Sequence, residues 1–152
     1  MIKLKRVCRY NIRDTFKLEV DFSHKSDVVH PLAFLELIAK EESCMPLLIY
    51  DDDIPVGFFV YGIVSNCYVI ANLMINKIDQ RKGYATRAMT TLISKIKKDK
   101  NHDKIFLNVN EHNAAAIRLY QKLGFNFDGI SHFVVDEIAG TSTDVLQMVL
   151  EY

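Results

Sequence analysis

The stretch from Tyr68 to Lys98, YVIANLMINKIDQRKGYATRAMTTLISKIKK, constrains this chain more than any other. Tyr68 to Ile75 is an apolar run with β-branched residues and neither Gly nor Pro, which predicts a well-buried strand. A polar break spans Asn76 to Lys82, and Gly83 stands where the chain must turn tightly. The pattern then changes. Ala85, Ala88, Met89, Leu92, Ile93 and Ile96 recur at helical spacing. A strand feeding a glycine turn that opens a helix leaves backbone N–H groups unpaired at the helix N-terminus, and the helix dipole favours an anion there. The segment therefore predicts a phosphate cradle.

Two familiar phosphate-binding sequences are excluded by their residues. A P-loop needs G-x-x-x-x-G-K-S/T, and none of Gly57, Gly62 and Gly83 is followed by Lys and a hydroxyl in that frame. A dinucleotide fingerprint needs three glycines in G-x-G-x-x-G, and this turn has one.

The predicted element order begins with a strand at Ile2 to Val7 and a helix at Ile12 to Leu18 capped by Asn11. Asp21 to Asp27 reads as a polar connection, and a second helix runs from Pro31 through Leu32, Leu35 and Ile38 to Glu42. Met45 to Tyr50 and Ile54 to Val64 form a hairpin across Asp51-Asp52-Asp53, and Ser65-Asn66 turns into the central strand. After the central helix come a strand at Lys104 to Asn110, with Ile105, Leu107 and Val109 on one face, and a helix at Ala114 to Leu123. Asn113 caps that helix and Gly124 ends it. Strands at Asn126 to Val135 and Thr143 to Glu151, joined through Gly140, finish the chain. At 152 residues this is a mixed α/β single domain over 1–152, without repeat or linker.

Other classes fall away on composition. Zero formal net charge leaves no nucleic-acid footprint, and no apolar run approaches the roughly 20 residues a membrane span needs. The N-terminus lacks a signal-peptide core, and Cys8, Cys44 and Cys67 show neither pairing nor zinc spacing. A cytoplasmic protein with reduced thiols is expected. The five histidines show no metal spacing, so no metal site is expected.

Two segments carry a family resemblance. Gln80-Arg81-Lys82-Gly83-Tyr84-Ala85 is similar to the Q/R-x-x-G-x-G/A signature of the GNAT acyl-CoA N-acetyltransferases. Leu107 to Phe125, LNVNEHNAAAIRLYQKLGF, resembles the second CoA motif of that family, with Asn113, Ala116, Leu119, Tyr120, Gly124 and Phe125 in step. Val56-Gly57-Phe58, Tyr61-Gly62 and Met74-Ile75 look like its bacterial spermine/spermidine N-acetyltransferase branch.

The resemblance implies a central, mostly antiparallel seven-stranded sheet that splays between strands 4 and 5, flanked by helices. It implies acetyl-CoA as co-substrate and a small amine as acceptor, and leaves open a homodimer. Carried over, Met74 and Ile75 bind pantetheine through their backbone, the amides from Arg81 to Ala85 hold the pyrophosphate, and Gln80 opens the same cofactor-binding turn. Asn113 both caps its helix and contacts pantetheine. Tyr120 protonates the leaving thiolate. A Tyr on an apolar helix face is ordinarily core, and the neighbouring Asn113 and Gly124-Phe125 turn the reading toward the acid.

Substrate residues are implied more loosely. The helix-to-helix region forms the acceptor wall in the family, and Glu19, Asp21 and Asp27 are its carboxylates here. The polyamine branch carries an acidic residue and an Arg where this chain has Ala71 and Asn72, so Asn72 stands at a substrate position without the expected charge. No carboxylate base is evident on the central strand, leaving a water relay or a substrate already in its free-base form. Two alternatives remain beside small-amine acetylation: transfer to a protein N-terminus or lysine, and a non-catalytic acyl-CoA-binding module.

Overall fold

The computed structural model describes residues 1–20, 30–136 and 141–152. The connection expected at Asp21 to Asp27 and the joint at Gly140 lie outside them. The strands are β1 (Ile2–Arg6), β2 (Cys44–Asp51), β3 (Ile54–Val64), β4 (Cys67–Ile75), β5 (Lys104–Asn110), β6 (Asn126–Asp136) and β7 (Thr141–Glu151). They form one seven-stranded sheet in the order β1-β2-β3-β4-β5-β7-β6. Every neighbouring pair is antiparallel except β4 and β5. Helices α1 (Pro31–Leu37), α2 (Tyr84–Ile96) and α3 (Ala114–Lys122) flank it. The mixed α/β architecture expected from the sequence is the one adopted.

Strand alternation divides the interior into two cores. On β2, Leu47 and Ile49 face α2, while Leu48 and Tyr50 face the other side. The larger core takes Ala88, Met89, Leu92, Ile93 and Ile96 from α2, Ile105, Leu107 and Val109 from β5, and Tyr120 with Phe125 around α3. Each fully buried Leu, Ile or Met contributes about 1.5–3 kcal/mol, so packing rather than helix propensity holds α2 in place. The smaller core gathers Leu18, Phe58, Val60 and Met74, with Val20, Leu35 and Ile38 packed against it.

Several local expectations change. Asn11 does not cap the turn that follows. Its Oδ1 accepts from the Cys8 amide at 2.7 Å and its Nδ2 donates to the Arg6 carbonyl at 3.0 Å, so it ties off the exit of β1. The segment after it, Ile12–Lys17, is a 3-10 helix. Helix α1 stops at Leu37 instead of reaching Glu42. Beyond Ile38 the residues Ala39 to Glu42 are all exposed, so nothing there repays continued helix, and the Cys44 amide bonds back to Glu41 at 3.1 Å. The central strand is half-buried along most of its length, with only Ile70 and Met74 buried. The cause is a missing neighbour, described below.

The end of the sheet away from that gap is closed by a polar cluster. Asp99 accepts from the Asn101 amide at 2.9 Å and from the Tyr68 hydroxyl at 2.8 Å, and His102 Nδ1 lies 2.8 Å from the same carboxylate. The Asn101 amide first, then Tyr68 and His102, lower the Asp99 pKa to about 2. A carboxylate depressed in the folded state stabilises the fold above its unfolded pKa near ~4, and that contribution is lost as pH falls toward 2. The expected outcome is that Asp99→Asn flattens the decline in urea midpoint between pH 5 and pH 2, measured against the unsubstituted chain.

Gly57 marks a second tight point. A Cβ there would lie 2.6 Å from the Met74 carbonyl oxygen and 2.9 Å from Ile75 Cδ1. Gly57→Ala is expected to destabilise the chain by about 1–3 kcal/mol, read as a lower urea midpoint at unchanged slope.

Candidate active site

The site begins as an irregularity in β4. Val60 pairs with Ala71 and Phe58 with Met74, so an extra residue of β4 bulges out between them. Asn72 takes φ 52°, the left-handed conformation an Asn tolerates better than most residues. The bulge changes the strand's alternation. Ile70 faces the α2 core, whereas Met74 joins the opposite core, and Leu73 and Ile75 point toward α2. Pairing of β4 with β5 covers only Tyr68↔Ile105, Val69↔Phe106 and Ile70↔Leu107, and then the strands part. The expected splay is there. It also explains the half-buried central strand, because Leu73 to Ile75 border a gap rather than another strand.

A cavity of about 320 Å³ fills the gap, bordered by Leu73, Met74 and Ile75 of β4. The α2 side contributes Gln80, Arg81, Gly83, Tyr84 and Ala85, and the α3 side Asn113, Ala116, Leu119 and Tyr120. Nine of the sequence-predicted residues therefore meet around one space: Met74, Ile75, Gln80, Arg81, Gly83, Tyr84, Ala85, Asn113 and Tyr120.

Backbone conformation builds the anionic end. Gly83 precedes α2 with φ 80° and makes no side-chain cap, and Arg87 donates its amide to the Gly83 carbonyl at 3.1 Å as the helix begins. The first-turn amides behind Gly83 lack intrahelical acceptors. A Cβ on Gly83 would meet nothing within 4 Å. It would project into open space, which is the room a diphosphate needs to reach those amides. Arg81 enters the turn at φ 60°. Arg87 lies over the Tyr84 ring at 4.8 Å and donates to the Lys82 carbonyl at 3.2 Å, while the Tyr84 hydroxyl donates to Asp51 at 2.7 Å. The open first-turn amides, with Arg81 in the lining, fit an acyl-CoA diphosphate.

The other end is apolar with one donor. Asn113 caps α3, its Oδ1 accepting from the Ala116 amide at 3.1 Å. At the far end Gly124 takes φ 99°, and the Phe125 amide returns to the Tyr120 carbonyl at 3.0 Å. The Phe125 ring then sits edge-on to Tyr120 with centroids 5.9 Å apart, which fixes the tyrosine. Tyr120 is 8% exposed, and burial pushes its hydroxyl pKa well above the ordinary value. The hydroxyl stays protonated throughout the physiological range, so it can donate a proton but does not rest as a base.

Three other predicted residues stand apart from the cavity lining. The Lys82 ammonium is exposed and pairs with Asp79 at 2.9 Å. Glu19 is exposed, and Asn72 lies in the bulge. Asp21 and Asp27 are outside the described residues.

The lining also includes residues that the sequence reading passed over, notably Val20, Asp79 and Thr86. Burial opposes ionisation of Asp79, but bonds from Lys82 and Asn76 outweigh it and hold the carboxyl below the ordinary carboxylate range. The spacing Asn76-x-x-Asp79 reads as an ordinary turn, so no local signal sets Asp79 apart. Val20 reaches the cavity only through the fold.

Comparison with known proteins places this geometry. A probable spermine N(1)-acetyltransferase of Bacillus subtilis subsp. natto is 34% identical over 90 residues, 54% of this chain and 59% of the relative. The match thus spans less than two thirds of that protein's length. Spermidine N-acetyltransferase from Vibrio cholerae, solved in complex with CoA and spermine, superposes with a TM-score of 0.73 at 17% identity, covering 99% of this chain and 95% of the other. The ribosomal-protein-S18-alanine N-acetyltransferase from Escherichia coli gives a TM-score of 0.73 at 20% identity, covering 99% and 94%. At such identities the structural likenesses establish the fold. The model of the Acetyltransferase (GNAT) family matches residues 9–125, a span that takes in the bulged strand, the glycine turn and both helices around the cavity, and the chain belongs to that family.

Proposed function

We propose that the chain transfers an acetyl group from acetyl-CoA to a primary amine of a small molecule, by direct attack in a ternary complex. The observation that carries this reading is the cavity in which an open amide-lined turn, a strand edge with no strand beside it and a buried tyrosine hydroxyl meet. In this reading the turn from Gln80 to Ala85 holds the diphosphate. Pantetheine extends along β4 beside Met74 and Ile75, within reach of Asn113. The acetyl group then lies at the parting of β4 and β5.

Val20 packs against the smaller core, on the face of the sheet opposite α2, and it also lines the cavity. The gap therefore opens toward both faces. The cofactor approaches from the α2 side and the amine from the side of Val20.

The amine attacks as its free base, which at neutral pH is a minor fraction of an alkylamine with a pKa near ~10. Its nitrogen bonds to the thioester carbonyl carbon, and backbone N–H groups at the strand end stabilise the developing oxyanion. The C–S bond breaks, the amine's surplus proton leaves to water, and the departing sulfur takes a proton from Tyr120. Tyr120 is reprotonated from solvent. Burial raises the Tyr120 pKa, so the hydroxyl keeps its proton until the thiolate forms beside it.

Three measurements test this reading. Release of CoA thiol is followed with a panel of spermidine, spermine, simple alkylamines and a peptide bearing a free α-amine. Turnover with the small amines is expected, and turnover with the peptide alone would move the acceptor to proteins. Tyr120→Phe is expected to lower kcat by about 10²–10⁴-fold, with acetyl-CoA affinity little changed because the ring still packs. Turnover within twofold of the unsubstituted chain, with chemistry rate-limiting, would leave Tyr120 a core residue. Gly83→Val forces a β-branched residue into φ 80° and fills the open turn. Its acetyl-CoA Kd, by calorimetry on folded protein, is expected to rise roughly tenfold or more.

A further inference from the structure

Asn76 is the first residue beyond β4, and among the described residues it is, with Thr15, one of two polar residues that are buried. All of its polar groups are engaged. Its Oδ1 accepts from the Glu19 amide at 2.8 Å, and its Nδ2 donates to Asp79 Oδ2 at 2.9 Å. Its own amide donates to the Val56 carbonyl at 2.8 Å, and its carbonyl accepts from the Asp79 amide at 2.8 Å. The Lys77 amide then donates to the Glu19 carbonyl at 3.0 Å. Glu19 is thus gripped at both its N–H and its C=O, as a residue in a strand pair would be, with a side-chain oxygen standing in for one carbonyl.

Three parts of the site converge on this residue. Val56 sits beside Gly57 where β3 faces the end of β4. Glu19 precedes Val20, the cavity wall on the face away from α2. Asp79 leads into the turn at Gln80 to Gly83 and bonds Lys82. The chemistry needed here is narrow. The group must be short, uncharged, and able to accept from an amide while donating to a carboxylate. Aspartate would set a second carboxylate against Asp79, and an aliphatic side chain would leave the Glu19 amide bare.

We propose that Asn76 is a positioning residue that fixes the acceptor wall at Val20 relative to the turn that receives acetyl-CoA, an inference that rests on the acetyltransferase reading above. Asn76 touches neither substrate in this scheme and acts through the Glu19–Val20 backbone. Loosening the joint shifts the amine's wall while the tyrosine, the bulge and the glycine turn keep their own supports. The loss therefore falls on the amine's KM more than on kcat.

The test compares the unsubstituted chain with Asn76→Asp, Asp79→Asn and the double exchange Asn76→Asp/Asp79→Asn, which reverses donor and acceptor and restores the bond. Amide hydrogen exchange at Glu19 and Lys77 reads the joint itself, and thiol release with the fastest amine of the panel reads its effect. Asn76→Asp is expected to speed exchange at both amides about tenfold or more, and to raise the amine's KM about tenfold with kcat within about threefold. The double exchange should return both quantities toward the unsubstituted values. Should Asn76→Asp fail to fold, Asn76→Ala carries the same expectation without the added charge. Unchanged exchange, an unchanged KM beside accelerated exchange, or a folded double exchange without recovery each overturns the proposal. An unsubstituted chain that releases no thiol defeats the acetyltransferase reading instead, and the exchange data still decide whether Asn76 holds the joint.

Discussion

A sheet is stable because nearly every backbone donor and acceptor in it finds a partner, and between β4 and β5 that rule is suspended after three residue pairs. The cost is an extended edge in the middle of the sheet whose hydrogen-bonding groups face a cavity. A partner that is itself extended and amide-bearing would satisfy them. The arrangement follows from a single extra residue, since the bulge at Asn72 turns the last residues of β4 off the path of β5. Most features of the site are consequences of that departure or supports for it.

The supports are of two kinds. Close backbone approach is one: Gly57 lets β3 lie against the Met74 carbonyl at a distance no side chain would permit. Buried polar connection is the other, with Asn76 joining the end of β4 to Val56 and to the Glu19 backbone. At the opposite end of the strand, Asp99 gathers Tyr68, His102 and the Asn101 amide, so β4 is anchored where it still pairs with β5. The strand is anchored at both ends, and beyond Ile70 it is only the side toward β5 that has no neighbouring strand.

What could be read from the sequence was local in origin. The strand-turn-helix from Tyr68 to Lys98 and the capped helix from Asn113 to Gly124 are each specified by periodicity and by glycine or capping residues within a few positions. Both appear close to the expected bounds. Expectation and structure part where a side chain bonds something other than its own turn, a few residues back for Asn11 and far back for Asn76. Asn11 had the residue type of a cap, yet its side chain turns back to the end of β1. Asn76 looked like the start of a turn, while its oxygen bonds a residue 57 positions earlier in the chain. The apolar run Tyr68 to Ile75 resembles a strand covered on every side, and nothing within it discloses that its neighbour departs. The cavity residues supplied by the two motifs were legible through the family resemblance that those motifs carry, and Val20 and Asp79, which lie outside both motifs, were not.

The short β4–β5 pairing also bears on how the molecule holds together as it breathes. β1 to β4 form one well-paired block and β5 to β7 another, and only three residue pairs stitch them through the backbone. Their union depends instead on the larger core, which gathers side chains from β2 and β3 of one block, from β5 and β7 of the other, and from α2 and the region of α3. Side-chain packing yields more gradually than a hydrogen-bonded ladder, so the two blocks are natural units of sub-global opening. A ligand bridging the gap would bind the closed arrangement and stabilise it by mass action. Occupancy of the slot would then raise the cooperativity of the whole chain and slow opening across the seam.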